Sequence, residues 1–258
     1  MRLAASIRRI TDPLLSDMRV PIVGGVNRGM WWSLMSAGSG YASGRRANEQ
    51  MRLLSDLMHE GDVMWDIGAH HGYVSLCASR KVGARGFVNA FEPSEMNRGR
   101  LNRHVRWNDL ANVSVHGFAL SNYNGECTFG GSGTSKMFAM GGGDETVQVR
   151  TGETLVHDRV CRAPTFVKMD VEGAEAHTMR GLLPILPRSA RLFIAMHNAN
   201  VDLECTAMIK AAGFSCHQSR DLQQSRKAEW RSDPDLFCVG PEYGRRAEDL
   251  ASLERHDF

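Results

Sequence analysis

No two cysteines in this 258-residue chain have CxxC spacing. Cys77, Cys127, Cys161, Cys205, Cys216 and Cys238 are scattered, which argues against a disulfide framework or a structural zinc and suits a reducing compartment. Neither sign of charge is in excess: 31 Lys and Arg against 29 Asp and Glu leave a net charge of +2. Without a basic field, nucleic acid is not the expected partner. No apolar run is long enough for a membrane span. The N-terminus carries Arg2, Arg8 and Arg9 but no apolar stretch before Thr11, Asp12 and Pro13, so it does not read as a signal peptide. A cytoplasmic protein is expected. No internal repeat is visible.

What is present is the composition of an ordinary globular protein, 42% apolar and 23% charged, in a length that suits one large α/β domain or two small ones. Residues 1–44 read as a helical or irregular N-terminal extension, broken by Gly24, Gly25, Gly29, Gly38, Gly40 and Gly44. Trp31 and Trp32 within it either pack the segment onto the main domain or cover a substrate. The main domain is expected over residues 45–258, opening with a helix from Arg45 to His59 marked by Met51, Leu54, Leu57 and Met58.

From Asp62 the chain alternates between strand and helix. Val63 to Ile67 is an apolar strand with Asp66 near its end, followed by the glycine turn Gly68 to Gly72 and a helix to Lys81. Gly86 to Glu92 is a second strand, stopped by Pro93, and Ser94 to Trp107 is a helix whose arginines read as a solvated face. Asn112 to Leu120 is read as the third strand, followed by strands over Glu126–Phe129 and Thr146–Arg150, with a glycine-rich loop from Gly130 to Asp144 between them. Pro164 to Met169 and Ala190 to His197 are further strands, each followed by a helix. Gly213 to Gln218 and Asp235 to Val239 close the chain as a pair. This order predicts a Rossmann-like α/β fold, doubly wound, with seven strands, mostly parallel, and an antiparallel strand at the C-terminus. Ligands of such sheets lie beyond the carboxyl ends of the strands, where Asp66, Glu92 and Asp170 converge.

The glycine turn fits several ligands, and missing motifs narrow the choice. There is no GxxxxGK[ST] loop for phosphate, no central glycine for GxGxxG, and no tyrosine followed four residues later by lysine. A nicotinamide oxidoreductase is therefore the weaker reading. S-adenosylmethionine has no phosphates and asks only for close backbone at the turn. It also suits an acid near its ammonium group (Asp66) and an acid for its ribose hydroxyls (Glu92).

Asp66-Ile-Gly-Ala-His-His-Gly-Tyr73, Phe91-Glu-Pro93, Ala119-Leu-Ser-Asn122 and Val167-Lys-Met-Asp-Val-Glu-Gly-Ala-Glu175 together resemble the FkbM family of class I methyltransferases, over roughly Asp62 to His197. The resemblance implies S-adenosyl-L-methionine as methyl donor and O-methylation of a small hydroxylated molecule such as a sugar or polyketide. It carries Gly68, Ala69, His70, Gly72, Pro93, Ala119, Leu120 and Asp170 over as cofactor contacts. One departure stands out: the family's turn usually reads Gly-Ala-Asn-x-Gly, and His70 holds the asparagine position. His70 and His71 read either as active-site bases or as residues that fill the turn and pack on the first helix.

Methyl transfer needs the acceptor oxygen in line with the donor carbon and, for an alcohol, a proton acceptor. Asp170, Glu172 and His197 are the expected catalytic residues: Asp170 beside the methyl group, Glu172 orienting the acceptor or acting as base, and His197 as a base near neutral pH. Lys168 either compensates Asp170 or makes a structural ion pair, and Glu175 is expected to favour the N-terminus of the following helix. Asp170, Glu172, His197 and Asn198 are also donors for a divalent metal such as Mg²⁺. No spacing motif calls for one, so no metal ligand is assigned. A non-catalytic protein that binds cofactor on the same fold, an N-methyltransferase and a homo-oligomer stay open.

Overall fold

Seven strands, all but one running the same way, form the centre of the computed structural model, which describes residues 18–34, 36–45, 48–130, 139–140, 145–197, 199–218 and 235–243. The N-terminal segment supplies a hairpin, β1 (Arg19–Pro21) with β2 (Trp31–Ser33), and two helices, α1 (Ser39–Ala42) and α2 (Asn48–Leu57). Then come β3 (Val63–Ile67), α3 (Tyr73–Val82), β4 (Phe87–Phe91), α4 (Glu95–Trp107) and β5 (Val113–His116). A second sheet follows from β6 (Ala119–Leu120), β7 (Gly125–Gly130), β8 (Ala139–Met140) and β9 (Glu145–Arg150). The chain re-enters the main sheet after α5 (Gly152–His157), with β10 (Phe166–Met169), α6 (Glu175–Leu182), β11 (Arg191–Ile194), α7 (Ala199–Ala211), β12 (Ser215–Gln218) and β13 (Leu236–Val239).

The main sheet has the order β12-β13-β11-β10-β3-β4-β5, with β13 antiparallel to both neighbours. The expected architecture is therefore present. β3 lies between β4 and β10, so the winding reverses at β3 and opens a crevice at its carboxyl end.

Every residue of β3, β10 and β11 is buried, as expected for parallel strands covered on both faces. Strand alternation divides their side chains between two cores. Trp65, Ile67, Val167 and Met169 enter one, while Met64 and Phe166 join Leu76 and Val88 in the other. Asp66 shares the face of Met64, and Lys168 that of Phe166, so the two polar residues meet on neighbouring strands in register.

Three expectations need correction. The third strand is not continuous: the chain bends at Phe118, and Ala119–Leu120 pairs in parallel with β9 in the second sheet. At Gly117, just before the bend, the Arg98 guanidinium packs close to the backbone: a Cβ there would sit 2.9 Å from its carbon. The N-terminal extension is not irregular throughout, since β1 and β2 pair across Val20 and Trp32. The arginines of α4 are not simply a solvated face: Arg98 donates to the carbonyls of Glu92 and Pro93 at 3.2 and 2.7 Å, and Arg100 to His71 at 3.2 Å. Residues 1–17, Asn198 and most of the 130–144 loop lie outside the described residues. Among the described residues no helix is long and apolar enough to cross a membrane.

Candidate active site

The glycine turn after β3 is built on left-handed backbone. Gly68, His70 and Gly72 have φ of 74°, 53° and 87°. At Gly68 a Cβ would lie 1.9 Å from the Asp170 carbonyl oxygen, so the end of β10 passes directly against the turn. Histidine at position 70 has a backbone reason: the site demands left-handed φ, which asparagine adopts most readily among side-chain-bearing residues and histidine also tolerates. Gly72 precedes α3 with no side chain capping the helix, which leaves backbone amides for a ligand. Half-buried backbone at Gly68 and His70, with Ala69 buried between them, fits a ligand that needs close backbone and no phosphate pocket.

Two acids secure this turn. Asp66 is fully buried; its carboxylate accepts the Ser75 hydroxyl at 2.5 Å and lies 3.2 Å from the Lys168 ammonium. Lys168 also donates to the Gly68 carbonyl at 2.8 Å. Lys168 thus makes a buried ion pair with Asp66. Asp66, expected beside the cofactor's ammonium, is fully buried with its charge paired to Lys168.

Glu92, at the end of β4, is 4% exposed and accepts the backbone N–H of His70 at 2.7 Å and of Ser94 at 3.0 Å. Burial pushes its pKa up to about 7, against the pull of these hydrogen bonds. The Asn97 side chain also hydrogen-bonds this carboxylate, and the lone pairs left over can accept a hydroxyl donor. Pro93 beside it is half-buried. Ala119 and Leu120 sit in β6, both buried, and the Leu120 carbonyl accepts the Thr178 hydroxyl at 2.9 Å.

His71 points away from the crevice. It is 1% exposed, its Nδ1 lies 2.9 Å from the Ser36 hydroxyl, and its Nε2 lies 3.1 Å from Asn97 Oδ1 and 3.2 Å from Arg100 Nη1. Burial holds its pKa down to about 2, so it packs as a neutral ring. His104 does the same: it donates from Nδ1 to the His71 carbonyl at 2.8 Å, accepts the Ser33 N–H at 3.0 Å, and burial lowers its pKa to about 4. Trp32 is fully buried and stacks on His104 at 3.9 Å, while Trp31 is partly exposed under the Arg19 guanidinium. For Trp32 the packing alternative holds. Nothing in the sequence pattern marked this network, because its members lie on separate elements and each alone reads as surface polar.

The loop after β10 gathers the remaining candidates. His197, just beyond β11, has Nε2 at 3.2 Å from Asp170 Oδ1 and 3.5 Å from Glu172 Oε2, and Nδ1 at 2.8 Å from Glu175 Oε1. Glu175 is fully buried in the first turn of α6, where an acid favours the helix N-terminus as expected, and it also accepts the Gly173 N–H at 3.1 Å. Glu172 adopts φ of 51° and is the most exposed of the group. Burial disfavours the charged ring of His197, but hydrogen bonds and charge from Asp170 and Glu175 override it and raise the pKa to about 10. A neutral base at pH 7 is therefore not its resting form.

A family model described as the methyltransferase FkbM domain matches residues 66–222. A hexuronic acid methyltransferase, AglP of Haloferax volcanii, is 30% identical over 179 residues, covering 66% of this chain and 71% of that protein. Among solved structures, a precorrin-6y C5,15-methyltransferase from Geobacter metallireducens aligns with a TM-score of 0.51 at 13% identity, over 76% of this chain and 89% of that one. Aeropyrum pernix fibrillarin, with S-adenosyl-L-methionine natively bound, aligns at 0.50 and 14% identity, over 74% and 73%. At these identities the structural likeness is one of fold.

Proposed function

Because this chain belongs to the FkbM methyltransferase family and uses S-adenosyl-L-methionine, we propose that it methylates a hydroxyl oxygen of a small sugar, in particular a sugar acid. The observation that carries this reading is the cluster of Asp170, Glu172 and His197, which lies against the glycine turn because the Asp170 carbonyl packs on Gly68. A donor held at the turn would meet an acceptor held at the cluster. The relative that acts on a hexuronic acid supports a sugar acceptor.

The bound cofactor supplies an activated methyl group on a sulfonium. The chain's own residues do the rest. Gly68, Ala69, His70 and Gly72 present backbone to the donor, and Glu92 accepts ribose hydroxyls through its remaining lone pairs. Pro93, Ala119 and Leu120 border this side. Glu172, the exposed carboxylate, accepts the hydrogen bond of the acceptor hydroxyl, orients its oxygen and takes its proton. Asp170 and His197 flank the reacting oxygen, and the imidazolium steadies the negative charge that develops there.

The test is a screen of uronic acid glycosides, neutral glycosides and amino sugars, with S-adenosylhomocysteine release measured for each. Release with hydroxyl acceptors, lost in Glu172→Ala while S-adenosylhomocysteine still binds, supports the reading. Release only with the amino group of amino sugars overturns it.

A further inference from the structure

We propose that Asp170, Glu172 and His197 form a binding site for a divalent cation of the Mn²⁺ or Mg²⁺ class, with Glu175 fixing the orientation of the histidine. One ligand atom from each of the three lies within 4.8 Å of the others. They come from the end of β10, the loop beyond it and the end of β11, so the grouping is made by the fold rather than by a local run of acids.

Glu175 provides the independent observation. It is fully buried, and one of its oxygens holds His197 Nδ1 at 2.8 Å. Its other oxygen makes no hydrogen bond among the described residues. A carboxylate placed behind a histidine in this way sets the tautomer and turns the other nitrogen toward a metal. Here that nitrogen, Nε2, faces Asp170 Oδ1 at 3.2 Å and Glu172 Oε2 at 3.5 Å. A divalent ion would take the place of the proton on Nε2 between these two oxygens, while Nδ1–H stays donated to Glu175. Three carboxylates around one imidazole carry the charge that a divalent ion offsets. Two carboxylates and an imidazole suit Mn²⁺ better than Mg²⁺, which prefers oxygen alone, and three protein donors keep positions open for exogenous oxygens.

The site does not rest on the identity of the acceptor, and binding of S-adenosylhomocysteine reports separately on the methyl-donor site. The full chain, stripped with chelator, is titrated with MnCl₂ while free Mn²⁺ is followed by electron paramagnetic resonance. The expected result is one saturable ion per chain, weakened about tenfold or more by Glu172→Gln or His197→Ala and about ten- to hundredfold by Glu175→Gln. Glu153→Gln, on an exposed residue of α5, leaves it unchanged. Absence of saturable binding overturns the proposal. So does equal binding by the wild type and by Glu172→Gln and His197→Ala chains that still bind S-adenosylhomocysteine. If those variants fail to fold, the wild type decides: substoichiometric Mn²⁺ must broaden the ring signals of His197 before those of His71 and His104, and uniform broadening overturns the proposal.

Discussion

The carboxylate of Glu92 accepts the backbone N–H of His70 at 2.7 Å, so the acid ending the second strand of the main domain holds the turn that follows the first. This bond joins the two ends of the expected donor site before any ligand arrives. It also explains why Glu92 is buried, and burial is what raises its pKa to about 7.

Ribose hydroxyls donating to Glu92 would favour its charged form. S-adenosylhomocysteine affinity should therefore fall as pH drops below about 7, by up to about tenfold per pH unit. Calorimetry at pH 8 and pH 6 reads this directly, and Glu92→Gln should bind more weakly and lose the dependence. Equal affinity at both values would remove Glu92 from the ribose site. The contribution of Glu92 to folding has its own sign. Its raised pKa stabilises the folded chain below 4.5, and that contribution is lost as pH rises through about 7.

The Asp66–Lys168 pair should be costly to break and cheap to replace. Lys168→Met leaves a buried anion without its cation and should destabilise by about 3–5 kcal/mol. Asp66→Leu combined with Lys168→Met should recover most of that loss in urea unfolding. A double variant as unstable as the single would show that the pair acts through something other than charge.

His70→Asn should fold at least as well as the wild type, because asparagine suits φ of 53°. His70→Val should lose about 1–2 kcal/mol, since a β-branched side chain resists that conformation. Thermal unfolding of the two variants separates a backbone role from a role of the imidazole. If Asn and Val are equally tolerated, the left-handed turn is not what selects this position.

The N-terminal segment is held by His71 and His104, both neutral because burial lowers their pKa from 6.5 to about 2 and about 4. The unfolded chain takes up these protons first, so their contribution is present above pH 6.5 and is lost as pH falls. Between pH 6.5 and 4.5 two such protons, opposed by one on Glu92, leave a net loss of about 1.4 kcal/mol per pH unit from these three groups. Urea midpoints at pH 6.5 and 5 should show it, and His104→Gln should flatten the slope. An unchanged slope in that variant would contradict the assignment.

Much of this molecule was legible before its structure. The strands are short apolar runs that end in acids, and a parallel sheet buried on both faces leaves that signature in Val63–Ile67 and Phe166–Met169. The convergence of Asp170, Glu172 and His197 followed from placing each after a strand. The bend at Phe118 was not legible, because no turn cluster interrupts Val113–Leu120 and the second sheet that captures β6 comes later in the chain. The partner of Lys168 depended on register between β3 and β10, which no local pattern fixes. The buried histidines were hidden for a related reason: their partners, Ser33 and Ser36, belong to a segment that is far away in sequence.

The most direct test of the account follows the methyl group itself. The full chain is incubated with S-adenosylmethionine carrying a ¹³C-methyl group and with a uronic acid glycoside, and the product is read by carbon–proton correlation NMR. The account predicts a labelled methyl ether on a ring hydroxyl, formed in equal amount with S-adenosylhomocysteine and abolished in Glu172→Ala. A label found on nitrogen or as a carboxylate ester, or S-adenosylhomocysteine formed without a labelled ether, would contradict it.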